Sequence, residues 1–564
     1  MMRLCFVTFM FLVHQITAED GCASVCTCSD NVANCSYVEI GSIPHRDVFN
    51  NNLKMLDLTG NFIEHLTDNA LVDYEGLQNL SFRNNYIRDV NRLAFAGLYS
   101  SLVHLDLTGN KIQTIFDDTF KRIPELKTLL LSNNSVATLE RNSFGDPEHL
   151  QYLDLSLNYL SIILDGTFDR NQELQFLSLR HNEIQSVGEP TFKMLHNLRH
   201  LDLSHNKISS VQPEAFRSLS QLEWFSLSHN RIKEFYDNAF ESLGRVKYFD
   251  LSQNEIRVIN PLCFANCSSL ETLSIAHNNI GRIREQGLYG LFSLRHFDLS
   301  HNRLAHLSPD VFISGDLPPA NNHGGTVCSE YNSLSYSLIV LKLDNNGISS
   351  LDKCVFVPTR GLQEIGLGAN NLSALDHRTF LPLRDLTNLD LSFNRLSEVD
   401  DLAAEWMLRS ATAVNLTGNP WDCTCGVLYS AYKVLRADKE RNITLVCERP
   451  EEGRGEPWNV LEEICERTTT EDIARTSNFS ATYEVTGTEI LTTAAILVIK
   501  GGFNHNSSSK VSSIRPSAIF VICFAVAVFV VIIAALIITR KIKKQNLNHL
   551  WWEDQVKRRQ LLSE

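Results

Sequence analysis

The chain has 564 residues, of which 44% are hydrophobic and 21% charged, and only 15 prolines, a composition that excludes a largely disordered protein. A formal net charge of −14 excludes a general nucleic-acid binder, which needs a basic face against phosphate. With 14 cysteines and a hydrophobic stretch near each end, the compartment has to be settled before the fold.

At the start, Arg3 precedes an apolar stretch from Leu4 to Val13, then small or polar residues ending at Ala18. This is the layout of a secretory signal peptide (1–18), with cleavage expected between Ala18 and Glu19; as a membrane anchor the stretch is too short. Residues 19–52 carry Cys22, Cys26, Cys28 and Cys35 in the spacing C-x3-C-x-C-x6-C. Secretion favours cystine over zinc for such a cluster, and the spacing alone leaves three pairings open.

Residues 53–412 are one repeat array. The segments LVHLDLTGN, LQYLDLSLN, LRHLDLSHN and LRHFDLSHN share the template L-x-x-L-x-L-x-x-N, and eight consecutive steps of 24 residues run from Asn110 to Asn302. Leucines at template positions 1, 4 and 6 are expected to point inward, the last two at the strand period of two. About 14 stacked copies predict a parallel sheet roughly 65 Å long at the usual strand spacing. The Asn at position 9 falls where the chain turns inward, and its amide can bond the backbone of the adjacent coil. A second apolar row, Phe95, Phe120, Phe144, Phe168, Phe192, Phe216, Phe240, Phe264, Leu288, Phe312, Phe356 and Phe380, closes the opposite side. No copy can bury its own core, so copies must stack and the ends must be capped.

The step from Asn302 to Asn346 is 44 residues, a surplus that places an insertion near 314–336. Its polar, turn-forming residues are expected to loop out, with Cys328 tied to Cys354. Cys263 and Cys267 are expected to pair with each other as a local staple. Residues 413–466 hold Cys423, Cys425, Cys447 and Cys465; residues 467–516 are a Ser/Thr-rich stalk. Ser517 to Thr539 has 23 residues and no charge, about 34 Å as a helix, enough to cross a bilayer. Arg540, Lys541, Lys543 and Lys544 follow at once and orient the preceding chain outward, leaving 540–564 as a short cytoplasmic tail. Acceptor sequons at Asn34, Asn79, Asn133, Asn266, Asn371, Asn415, Asn442, Asn478 and Asn506 all lie on the expected outer side.

The 24-residue template together with NPWDCTC from Asn419 resembles the extracellular leucine-rich-repeat receptors, the type found in Toll-like receptors and Slit proteins. Ala23 departs from the proline usual in their N-terminal cap. The resemblance implies the pairs Cys22–Cys28, Cys26–Cys35, Cys423–Cys447 and Cys425–Cys465. It implies an α/β solenoid, a leucine-rich-repeat horseshoe with a parallel sheet on its concave side and disulfide-capped ends. One transmembrane helix completes the expected fold. The tail is too short for the signalling domain of a Toll-like receptor.

Positions 3, 5, 7 and 8 of the template line the sheet face or its edge. Position 3 reads Tyr152, Phe176, His200, Trp224, Tyr248, an exposed aromatic ribbon that points to an interaction surface as well as to cross-strand packing. Position 5 brings Asp202 and Asp250 into a negative row with Asp154 and Asp298, attractive to a basic partner or a cation, and position 8 brings His181, His205, His229, His277 and His301 into a row able to sense acid or bind metal. Both rows are also ordinary wording of the repeat. There is no H-E-x-x-H, nucleophile elbow or glycine-rich phosphate cradle, so no enzyme, cofactor or metal is expected. The sequence predicts a type I plasma-membrane receptor or co-receptor that takes an extracellular protein ligand or cell-surface receptor and signals through partners. A cell–cell or cell–matrix adhesion molecule is the alternative, and a dimer is compatible with either.

Overall fold

The structure, a computed structural model, describes residues 22–465 apart from 23–24, 118, 213, 236–238, 313–327, 329–335, 411–412, 426, 437–444, 452–453 and 459–464. The signal segment, the stalk, the apolar segment 517–539, the tail and the sequons at Asn442, Asn478 and Asn506 lie outside the described residues. Among the described residues no helix is long and apolar enough to cross a membrane.

Each coil contributes a strand of three residues, template positions 3 to 5, and seventeen strands join in one sheet. Thr27–Ser29 pairs antiparallel with Val32–Asn34 at the N-terminal edge. From Val32–Asn34 onward the pairing is parallel, and in the middle of the array its register is a constant 24 residues. The register survives the insertion: His296 pairs with Val340 and Asp298 with Lys342. Leucines at positions 1, 4 and 6 are fully buried, as Leu150, Leu153 and Leu155 show. Burying each of them contributes roughly 1.5–3 kcal/mol.

Beyond the strand, position 8 turns left-handed. Leu157, His181, His205, His229, His277 and His301 all have φ between 53° and 56°. Gly109 and Gly418, at the same template position, have φ of 72°. Position 9 then inserts its amide. Asn206 Nδ2 donates to Leu203 O at 3.0 Å and to Leu179 O of the preceding coil at 2.9 Å, while its Oδ1 accepts from Ile184 N at 3.0 Å. The same three bonds recur from Asn61 in the first full coil to Asn419 in the C-terminal cap. On the opposite side the phenylalanine row stacks at centroid spacings of 6.1 Å between Phe95 and Phe120 and 5.7 Å between Phe240 and Phe264, every ring buried.

Both ends are closed by cystine: Cys22–Cys28 and Cys26–Cys35 in the first cap, Cys423–Cys447 and Cys425–Cys465 in the second. The last cap also buries Trp421, whose Nε1 donates to Leu416 O at 3.2 Å. Cys328 is joined to Cys354, tying the insertion to the following coil.

The expected pair between Cys263 and Cys267 is wrong. Both are buried thiols. Cys267 Sγ donates back to Phe240 O at 3.8 Å, and Cys263 Sγ donates forward to Gly287 O at 3.9 Å. They lean toward opposite neighbours along the stack, so four-residue spacing does not bring the sulfurs together. Cys267 fills the buried slot taken by Leu219 and Leu243 in earlier coils, and burial pushes its thiol up to about 12.

Candidate functional site

Parallel register at a 24-residue period forces position-3 side chains to stand side by side. Tyr152 and Phe176 stack at 4.0 Å with planes 3° apart, Phe176 and His200 at 4.4 Å, His200 and Trp224 at 4.0 Å, Trp224 and Tyr248 at 5.3 Å. All five are half-buried. The ring faces cover one another, so the ribbon presents ring edges outward, and these carry the positive rim of the aromatic quadrupole. The five expected residues therefore form one continuous surface, bounded in register by Thr128 before Tyr152 and Thr272 after Tyr248.

Asp154, Asp202, Asp250 and Asp298 stand on the same face in a row two residues along the strands. Each carboxylate accepts from the backbone N–H two residues on: Asp202 from Ser204 at 2.9 Å, Asp250 from Ser252 at 2.9 Å. Burial raises the Asp154 carboxyl above the ordinary range, against the lowering effect of the Ser156 hydroxyl and N–H. Asp202 also lies 3.9 Å from Arg180, whose guanidinium donates to Ser204 Oγ at 2.9 Å.

The histidine row is a stack as well: His181 and His205 at 4.0 Å, His205 and His229 at 3.9 Å, His277 and His301 at 3.9 Å. Ring faces meet ring faces, so the nitrogens do not converge on a common point. His205 is pushed down to about 4 by burial first and then by His229 and His181. That lowering opposes protonation of His205. The left-handed turn accounts for the row, because histidine is among the residues enriched at positive φ.

Within the aromatic ribbon His200 is held at about 4 by burial. The unfolded imidazole takes up a proton near 6.5. Stability linked to His200 is therefore fully present above pH 6.5 and lost as pH falls from 6.5 toward 4, by on the order of 3 kcal/mol. Denaturant midpoints at pH 7.5 and 4.5 should diverge less in a His200→Phe variant, which keeps the ring and removes the titration. Identical acid loss in the two proteins would refute the assignment.

Some features of this face were not anticipated. Sequon residues Asn34, Asn79 and Asn415 all fall on it: Asn34 and Asn415 align with position 5 and Asn79 with position 3. The signal was available, since each lies at a fixed offset from a template leucine. A second exposed apolar group, Leu157, Tyr159, Ile162 and Leu164, belongs to one coil just beyond its strand. Elsewhere these slots carry mainly polar residues such as Lys207, Ser210 and Gln212.

The leucine rich repeat profile matches residues 51–112, 75–136, 100–160, 124–184, 172–232, 225–280, 268–314 and 337–396, more than half of the chain. The chain belongs to the leucine-rich-repeat family. Among solved structures, the glycosylated Toll–Spätzle complex of Drosophila holds a chain that aligns with 72% of this one at 23% identity and a TM-score of 0.61. The second form of that complex aligns at 21% identity and a TM-score of 0.59. This leucine-rich-repeat chain spans about half the length of both, covering 54%. A leucine-rich-repeat protein of Leptospira interrogans aligns over 67% of this chain and 89% of its own, at 24% identity and a TM-score of 0.53. At these identities the likeness is one of fold. No curated protein matches the chain.

Proposed function

We propose that this chain is a cell-surface leucine-rich-repeat receptor or co-receptor that binds a protein ligand through its sheet face and signals through partners. The observation that carries the reading is the five-ring ribbon from Tyr152 to Tyr248. Its rings are half-exposed, in register, and outside the buried core. Aromatic residues at the centre of a binding surface dominate protein–protein affinity, and they give up little side-chain entropy. Fold likeness to a Toll chain solved with Spätzle supports a protein-binding role. The apolar segment 517–539, followed at once by four basic residues, supports a single-pass anchor with the repeats outside. An amino-terminal signal peptide and sugars on the sequons belong to the same reading. Sugars on Asn34 and Asn79 at one end and on Asn415 at the other would stand on the sheet face and leave the ribbon clear between them.

The test is Trp224→Ala combined with Tyr248→Ala in the full chain. Neither ring belongs to the buried core, so surface expression and thermal unfolding are expected to hold. Binding to the partner captured by the native chain is expected to fall at least 100-fold, as for two central aromatic anchors. A well-folded double variant with native affinity would end the sheet-face reading. Aggregation of cells expressing the native chain would instead favour adhesion over signalling.

A further inference from the structure

Resting on that sheet-face reading, we infer the chemistry of the partner: a protein segment that is apolar along one edge and carries Lys or Arg at intervals of about 10 Å along the other, as a basic amphipathic helix does. Two parallel rows on the face call for it. The first is the ribbon of ring edges from Tyr152 to Tyr248. Because the ring faces are occupied by each other, the ribbon offers an apolar rail rather than a row of cation–π platforms. The second row, about 7 Å away along the strands, is Asp154, Asp202, Asp250 and Asp298; Asp202 is buried beside Arg180, and the other three are half-buried and reach the surface. Serines 178, 226 and 274 alternate with them, so carboxylates recur on every second strand, about 9.6 Å apart. Two turns of helix rise about 10.5 Å, so residues seven apart keep pace with the carboxylates while their apolar neighbours rest on the ring edges.

The carboxylate charge exceeds what the fold needs at this position. Asn34 Oδ1 accepts from Ser36 N at 2.9 Å and Asn415 Oδ1 from Thr417 N at 3.3 Å, so an uncharged amide makes the same turn contact at both ends of the sheet. Ser226 does so with its hydroxyl toward Ser228 N at 3.3 Å. Along strands 152 to 298 the only Lys or Arg at positions 3, 5 or 7 is Arg180, so the face is acidic on balance. A surface that is apolar on one line and negative on the next selects a partner with the complementary pair of lines.

The experiment measures binding of three synthetic 21-residue helical peptides to the purified full chain. One peptide has a leucine edge and an arginine at every seventh position. The second replaces those arginines by glutamate, and the third replaces the leucines by serine. The expected result is saturable binding of the leucine–arginine peptide, weakened by added salt, with the other two at least 10-fold weaker. The quadruple variant D154N/D202N/D250N/D298N is expected to lose at least 10-fold for the leucine–arginine peptide with its thermal midpoint unchanged. Should that variant melt early, the half-buried single variants D250N and D298N carry the same comparison, each expected to lose a few-fold. Equal binding of the glutamate peptide, or native affinity in the folded Asn variants, overturns the inference. The two readings fail separately: if Trp224→Ala with Tyr248→Ala abolishes partner binding while the Asn variants retain it, the face is the binding surface and the partner is not basic.

Discussion

Replacing Asn206 with alanine is expected to cost about 3–5 kcal/mol, because it leaves three buried backbone groups without their partners. Leu179 O and Leu203 O lose their donor and Ile184 N loses its acceptor. Asn206 is itself only 7% exposed, so water cannot readily substitute. The damage should stay local, since coils interact only with their neighbours. Hydrogen exchange should therefore rise most at Ile184, whose N–H loses its acceptor, and in the coils on either side of position 206. Asn206→Asp keeps the acceptor for Ile184 N but, ionised, cannot donate. It should fall with the alanine variant rather than with the native chain. Denaturant unfolding checks both, and a loss below 1 kcal/mol for Asn206→Ala would show that the amide ladder is dispensable.

The second large effect is expected on the opposite side of the coil. Phe216 is 1% exposed; it stacks between Phe192 at 6.4 Å and Phe240 at 6.5 Å and meets the edge of Phe225 at 4.8 Å. Phe216→Ala should cost about 3–5 kcal/mol through lost burial and the cavity left behind. Phe240 is its direct neighbour in the row and also touches Phe249 at 4.9 Å. The double variant Phe216→Ala with Phe240→Ala should then depart from additivity by at least 0.5 kcal/mol, because the two cavities merge and collapse together. Strict additivity in denaturant titrations would mean that the coils pack independently, contrary to the ring ladder.

Much of this architecture was legible in the sequence because its physics is periodic. A leucine template of nine residues at a 24-residue step determines which side chains face inward, and the closing Asn and the phenylalanine row follow from their fixed offsets. The aromatic ribbon was legible for the same reason, since equal offsets in a parallel sheet must stand side by side. What the sequence hid was side-chain direction and backbone hand. Cys263 and Cys267 are four apart, as a local cystine would be, yet one leans to the coil before and the other to the coil after. The histidine row invited a titrating role, but a left-handed turn at every position 8 explains its residue type, and burial, then the neighbouring His229 and His181, lower His205. The alternation of Asp with Ser on the sheet was visible as letters. Its distinction from the structural need became visible only when Asn34 and Asn415 were seen to fill the same place.

The sheet face as the recognition surface is the centre of this account, and site-resolved photocrosslinking on living cells tests it most directly. A photoreactive phenylalanine analogue is placed singly at Phe176 or Trp224 on the ribbon, and at Lys193 or Arg217, exposed positions beside the buried phenylalanine row. Adducts to the same extracellular protein are expected from both ribbon positions and none from the other two. Adducts from Lys193 or Arg217 alone, with silence at Phe176 and Trp224, would contradict it.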